Sequence, residues 1–172
     1  MRAVVQRVSS ASVSVDGQVI SQISRGLMVL VGIGRDDTES DVSILTNKIL
    51  CLRVFSDPAD SAKMWKTKDI DGDILCVSQF TLLAETRKGN KPDFHNAMPT
   101  EQSRELYATI LEALRQAYGK SEKVQDGRFG AMMNVSLTNE GPVTFTLDSR
   151  KFEYTPEQGL GSTKNSKSQS KP

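Results

Sequence analysis

Apolar and polar residues alternate from residue 2 to residue 15, with Val4, Val8, Val13 and Val15 setting the rhythm of one long half-buried strand. Asp16-Gly17 then supplies the positive φ of a tight hairpin, so 18–23 is predicted to return antiparallel to the first strand. Arg25-Gly26 makes a second turn, and the continuous apolar run 27–33 suits a central strand. The period then changes. Asp36, Asp37 and Thr38 offer helix-starting groups, and Val42, Leu45, Ile49 and Leu52 follow at helical spacing. Val54-Phe55 reads as a short strand, 56–60 as a loop, Trp65 as a packing residue and Asp71-Gly72 as a turn. A strand is predicted over 74–83. The clearest helix opens at Pro99-Thr100-Glu101, aligns Leu106, Ile110, Leu114 and Ala117, and stops at Gly119. Strand-like runs at 132–137 and 143–147 follow Asp126-Gly127 and Gly130.

The 74–83 strand is unusual in its polar content. Leu75-Cys76-Val77-Ser78-Gln79-Phe80-Thr81-Leu82-Leu83 is β-prone, yet it carries Ser78, Gln79 and Thr81 where a buried strand would carry Val or Ile. Such groups either satisfy neighbouring backbone or are put to use, and the pattern alone leaves both open. Between Glu85 and Met98 the periodicity stops, and Arg87, Lys88 and Lys91 gather near Gly89, Asn90 and Pro92. A basic, glycine-containing loop directly after a polar strand can meet phosphates, or can be a solvated loop.

Composition narrows the chemistry. With 172 residues, 25% charged and 37% hydrophobic, the chain suits one globular domain, and a net charge of +1 argues against coating nucleic acid by bulk electrostatics. Any RNA contact is therefore expected to be local. No run of about 18 apolar residues and no basic-then-apolar leader is visible, so we expect neither a membrane partner nor secretion, and a cytoplasmic location. Cys51 and Cys76 lie in apolar runs and read as two buried reduced thiols. His95 is the only histidine, which leaves a Ser or Cys triad without an aimed base and zinc without a ligand set. Neither a Walker loop nor a dinucleotide glycine turn is present, so no metal and no cofactor are expected. Hydrolysis promoted by positioning and main-chain donors remains.

Four stretches, in order, carry a resemblance: Met1-Arg2-Ala3-Val4-Val5-Gln6-Arg7-Val8, the Ser-Gln-Phe-Thr-Leu run at 78–82, the Lys88-Gly89-Asn90-Lys91-Pro92-Asp93-Phe94-His95 loop, and Asn139-Glu140-Gly141-Pro142-Val143-Thr144. Together they closely resemble the D-aminoacyl-tRNA deacylase family, over Met1 to about Ser149. The resemblance implies hydrolysis of the ester joining a D-amino acid to the 3′-terminal adenosine of tRNA, within a homodimer. It implies that Ser78, Gln79, Phe80 and Thr81 line the catalytic side, with Phe80 near the adenine and its N–H toward the developing oxyanion. The substrate's own 2′-hydroxyl would assist, and Thr81 would serve mainly to position. Gly141 and Pro142, reaching into the other subunit's pocket through a cis peptide bond, would form the chiral filter, with Met132 and Met133 contributing to substrate binding. Glycine, lacking a side chain, would pass such a filter. Arg87, Lys88 and Lys91 become candidate tRNA contacts.

The fold expectation is a single mixed α/β domain, 1–156, with a twisted, largely antiparallel sheet, two main packed helices and a symmetric dimer; the order of strands does not follow from sequence. Residues 157–172 form a polar tail, rich in Gly, Ser and Lys from 159 onward and expected to be disordered. Extended tails in some relatives are linked with DNA binding, which supplies a second hypothesis. Lys164, Lys167 and Lys171 are few for that role, because affinity grows with the number of phosphates neutralised. A third reading is a dimeric structural module whose polar strand residues satisfy one another.

Overall fold

The computed structural model describes residues 1–60, 62–87 and 89–150. The elements are β1 (Arg2–Val15), β2 (Gln18–Ile23), β3 (Gly26–Gly32), α1 (Glu39–Cys51), β4 (Arg53–Ser56), β5 (Met64–Lys66), β6 (Asp73–Ser78), α2 (Thr100–Tyr118), β7 (Val124–Asp126) and β8 (Asn134–Asp148). Short 3-10 turns occupy Lys68–Ile70, Phe80–Leu83 and Ser121–Lys123. Lys88 and the tail from residue 151 onward lie outside the described residues, and so does the expected domain end at 156.

β1 is the spine of the sheet. One of its edges pairs with β3 over Arg2 to Val8 and with β2 over Ala11 to Val15, both antiparallel, while the other edge pairs antiparallel with β8 along nearly its whole length. β3, β6 and β7 continue the sheet in parallel, and β4 and β5 form a separate small pair. The sheet is therefore mixed: antiparallel around β1 and parallel from β3 outward.

Strand alternation sorts the apolar side chains to two faces. Leu27, Val29 and Val31 of β3 join Ile74 and Cys76 of β6 beneath the helices, where they meet Val42, Leu45 and Ile49 of α1 and Ile110 and Leu114 of α2. Met28 of β3 and Leu75 and Val77 of β6 point the other way, into a smaller cluster with Val8, Ala11 and Val13 from the far half of β1. Full burial of each such side chain contributes roughly 1.5–3 kcal/mol, so the helix-side layer is the main source of stability. α1 starts as its acidic and hydroxyl residues predict, with Asp41 Oδ2 accepting from the Thr38 N–H at 2.9 Å and from its hydroxyl at 3.2 Å. α2 ends at Gly119 in the left-handed conformation.

Four expectations change. The strand predicted over 74–83 ends at Ser78, because the chain turns into the 3-10 segment Phe80–Leu83. The two predicted runs, 132–137 and 143–147, merge into one strand that starts at Asn134, since both pair in sequence with β1, while Met132 and Met133 lie before it. Cys51 is exposed at the last turn of α1, its thiol 3.3 Å from Asn47 Oδ1, while only Cys76 is buried. Ala117 is exposed, and Tyr107 and Tyr118 complete the buried face of α2 instead. Trp65 packs at the edge of the main cluster, as a packing residue should. Among the described residues no helix is long and apolar enough to cross a membrane.

Candidate active site

The polar end of β6 is positioned by β3. Gln79 N–H still donates to Val31 O at 2.7 Å, so the ladder holds one residue past the strand before the chain turns. The turn lies tight against Gly32, where an added Cβ would stand 2.6 Å from Leu83 Cδ2 and 2.8 Å from Leu82 Cβ; glycine is required there for close approach. The turn is closed by Leu82 N–H to Gln79 O at 3.2 Å and Ala84 N–H to Thr81 O at 3.1 Å. At its open start, the Phe80 N–H has no backbone partner among the described residues. Phe80 is 55% exposed and its ring meets Phe94 edge-on at 5.0 Å.

A cleft of about 610 Å³ opens beside this end, within the range of small-molecule sites. Ser78, Gln79 and Phe80 form one wall; Met98, Thr100 and Ser103 come from the entry of α2; Phe129 to Met133 form the rim leading into β8. The structure thus brings together Ser78, Gln79, Phe80, Met132 and Met133. Met132 is 92% exposed and so takes no part in the core. Thr81 lies outside this lining, and its Oγ1 accepts from the Gln79 amide.

Sequence reasoning missed the α2 wall. Ser103 is 9% exposed and looks, in sequence, like one more polar helix residue. Its signal was a helix entry whose N-cap position is Pro99, a residue with no side-chain acceptor.

Gly141 and Pro142 do not line this cleft within the single chain. Opposite Arg7 the β1–β8 ladder jumps from the Gln6–Thr144 pair to the Val8–Asn139 pair, and residues 140–143 form an excursion. Its peptide bond Gly141-Pro142 is cis and Gly141 has φ +116°. The flanking motif residues hold it in place. Asn139 Nδ2 donates to Arg7 O at 2.8 Å and to Val143 O at 3.1 Å, and the Thr144 hydroxyl donates to Asn139 Oδ1 at 3.0 Å. Glu140 accepts from Arg25 through both oxygens at 2.9 and 3.0 Å, and this hydrogen-bonded pairing holds its carboxyl below the usual range. Arg7 donates to Glu140 O and to Val54 O, which ties the excursion to β4.

The basic loop is only partly recruited. Arg87 is paired with Glu85 at 3.1 Å, Lys91 is exposed, and Lys88 lies outside the described residues. His95 Nδ1 is 2.7 Å from Asp93 Oδ2 on the exposed loop and is not part of the cleft lining. Burial pushes the Cys76 thiol up to about 12, so it stays protonated near neutral pH and is no nucleophile. Among the described residues no group of three His, Cys, Asp or Glu side chains is placed to hold a metal. What the cleft offers is a free main-chain donor, an aromatic face and neutral polar groups.

Comparison with known proteins converges on one family. The model of the D-Tyr-tRNA(Tyr) deacylase family matches residues 4–148. The chain is 54% identical over 151 residues to a D-aminoacyl-tRNA deacylase of Saccharomyces cerevisiae, covering 87% of this chain and 99% of that protein. It is 52% identical over 153 residues to one of Dictyostelium discoideum, covering 88% and 99%. Among solved structures, one described as a c-Myc DNA unwinding element binding protein aligns with a TM-score of 0.81 at 50% identity, covering 86% of this chain and 98% of that one. Another, described as a probable eukaryotic D-amino acid tRNA deacylase, shares the fold at TM-score 0.74 and 20% identity, over 86% and 98%. A match that spans β1 to β8, the polar end of β6 and the excursion opposite Arg7 leaves one assignment: the chain belongs to the D-Tyr-tRNA(Tyr) deacylase family.

Proposed function

We propose that this protein hydrolyses the ester bond of D-aminoacyl-tRNA, releasing the free D-amino acid and tRNA. The observation that carries the reading is the Phe80 N–H, without a backbone partner at the start of a tight turn and beside a cleft of substrate size. In ester hydrolysis the carbonyl oxygen gains negative charge as the tetrahedral intermediate forms, and a fixed main-chain donor stabilises it without reorganisation. The 2′-hydroxyl beside the ester on the ribose is the proton-relay candidate, since the chain's own histidine lies outside the cleft lining. Ser78 and Gln79 orient the ester, Phe80 offers a face to the adenine, and Met132 and Met133 close the rim. Thr81 holds the Gln79 amide.

The outer edge of β8 has no strand partner among the described residues, and Gly141 and Pro142 are exposed on that strand. A second copy covering this face would place its excursion at the cleft and act as the filter. Main-chain carbonyls of the excursion would accept from the substrate ammonium, and an L side chain would collide with the Gly141-Pro142 backbone, whereas D substrates and glycine would not. Arg87, Lys88 and Lys91 are assigned to the tRNA beyond its terminus. The test is direct: purified protein is incubated with matched D- and L-aminoacyl-tRNA and ester loss is followed. Loss of the D ester alone supports the reading, and equal survival of both esters overturns it.

One observation favours a second reading. The 50%-identical solved protein is described as binding a DNA unwinding element. If DNA binding rests on the tail, a full-length chain retards duplex DNA in a gel at physiological salt and a 1–156 chain does not.

A further inference from the structure

The entry of α2 faces the same cleft and is uncapped. Pro99 occupies the N-cap position and offers no side-chain acceptor, and the first helix-closing donor is Ser103 N–H, which reaches Pro99 O at 2.9 Å. The N–H groups of Thr100, Glu101 and Gln102 precede that bond and have no partner among the described residues. Uncapped donors at the positive end of a helix of 19 residues are the groups that bind an anion.

Two side chains point to the same ligand. Ser103 is 9% exposed, lines the cleft, and its hydroxyl has no hydrogen-bond partner among the described residues. A hydroxyl on the cleft wall can donate to an anion that enters. One residue on, the Arg104 guanidinium lies over the Phe129 ring at 4.7 Å, and its Nη2 stands 3.9 Å from where a Gly130 Cβ would be. Phe129 and Gly130 belong to the cleft rim. The acid nearest Arg104 is Glu101, at 3.7 Å and 82% exposed, a pair too open to neutralise it.

We propose that the α2 entry, with Ser103 and Arg104, is a phosphate subsite that takes the 5′-phosphate of the substrate's terminal adenosine. This rests on the deacylase reading for the identity of the nucleoside, while the anion site stands on its own geometry. The nucleoside ester would face Phe80 on one wall, and the 5′-phosphate on the same ribose would meet the free amides, the Ser103 hydroxyl and the Arg104 fork on the other. Stacking on Phe129 holds the guanidinium at the rim in advance of binding. The site would thereby sense that the nucleoside is the end of a polynucleotide.

The test compares adenosine with 5′-AMP in calorimetric titration of the full-length protein, alongside hydrolysis of D-aminoacyl-tRNA. The wild type should bind 5′-AMP about tenfold more tightly, the effect of one charge-assisted contact. Arg104→Ala should reduce that ratio below about threefold and Arg104→Lys should keep part of it; Ser103→Ala should lower it to an intermediate value. Equal affinity for the two nucleosides, absence of binding to both, or a ratio that survives Arg104→Ala overturns the subsite. Active deacylation with equal affinities removes the phosphate subsite and leaves the enzyme reading. A tenfold preference without deacylation does the reverse.

Discussion

Gly141→Ala isolates the backbone of the excursion. At φ +116° the residue occupies a region that side chains rarely enter, and holding a non-glycine residue in such a region costs roughly 1–3 kcal/mol. Space is also short. The new Cβ would meet Arg7 Nη2 and Val143 Cγ2 at 2.9 Å and the Val143 N at 3.2 Å. The arginine can swing, but it would then give up its bonds to Glu140 O and Val54 O; the Val143 backbone cannot move without dragging the Asn139 bond to Val143 O. The backbone cost is therefore the lower bound. For a domain of this size about 1 kcal/mol corresponds to roughly 2–4 °C in Tm, so a fall of at least about 2 °C and up to about 12 °C is expected. Deacylation of D-aminoacyl-tRNA should fall tenfold or more, because displacement of an aligned group by about 1 Å commonly costs about 10²-fold. Thermal unfolding and initial rates on D-aminoacyl-tRNA, measured on the same preparation, check both parts. A variant with wild-type Tm and wild-type rate would refute the claim that this glycine is required by its conformation.

Thr81→Ala should retain deacylation within about tenfold, since its Oγ1 accepts from Gln79 and no base is aimed at it; a rate reduced to background with folding and tRNA binding intact would make Thr81 the nucleophile. Arg25→Ala should cost about 0.5–1 kcal/mol at pH 7 by urea denaturation, a modest figure because the pair is partly exposed. The Glu140 carboxyl is depressed in the folded state, so its contribution is present above the ordinary glutamate range near 4.3 and is lost as pH falls through the folded value. Wild type and Arg25→Ala should therefore converge in stability as pH falls from the ordinary glutamate range through the depressed folded value, and a constant difference down to acid pH would contradict the pairing. Tyr107→Phe should leave stability unchanged or raise it by up to about 1 kcal/mol, since the buried hydroxyl has no partner among the described residues; a loss of more than about 1 kcal/mol would show that the hydroxyl is satisfied.

The elements whose pattern is periodic were legible. Alternation in β1 and the 3.6-residue spacing in α1 and α2 reflect one buried face each, and the structure buries those faces. The ends of elements were not. Nothing in Phe80-Thr81-Leu82-Leu83 distinguishes a continuing strand from a 3-10 turn, because the deciding contact is Gly32, nearly 50 residues earlier in the chain. The runs 132–137 and 143–147 read as two strands by local pattern, yet β1 is long enough to pair with both flanks of Gly141-Pro142 and makes one strand of them. The wall formed by Ser103 and Thr100 was invisible for a similar reason: helical spacing gives the buried face of α2 but not the neighbour that face meets. Polar residues in a β-prone run, by contrast, marked Ser78 and Gln79 without any tertiary knowledge.

The pairing of β1 has a consequence for how the protein is made. Arg2 lies opposite Asp148, 146 residues away, and the register runs back from there through the whole of β8. A ribosome adding about 5–20 residues per second needs roughly 7–30 s between the two, and for that interval the valine-studded edge of β1 has no β8 to close it. Contacts of such sequence separation also slow folding itself. The nascent chain is thus a natural client for holding factors until its last strand emerges, and a ribosome stalled before residue 134 releases an adhesive sheet edge in place of a shortened enzyme.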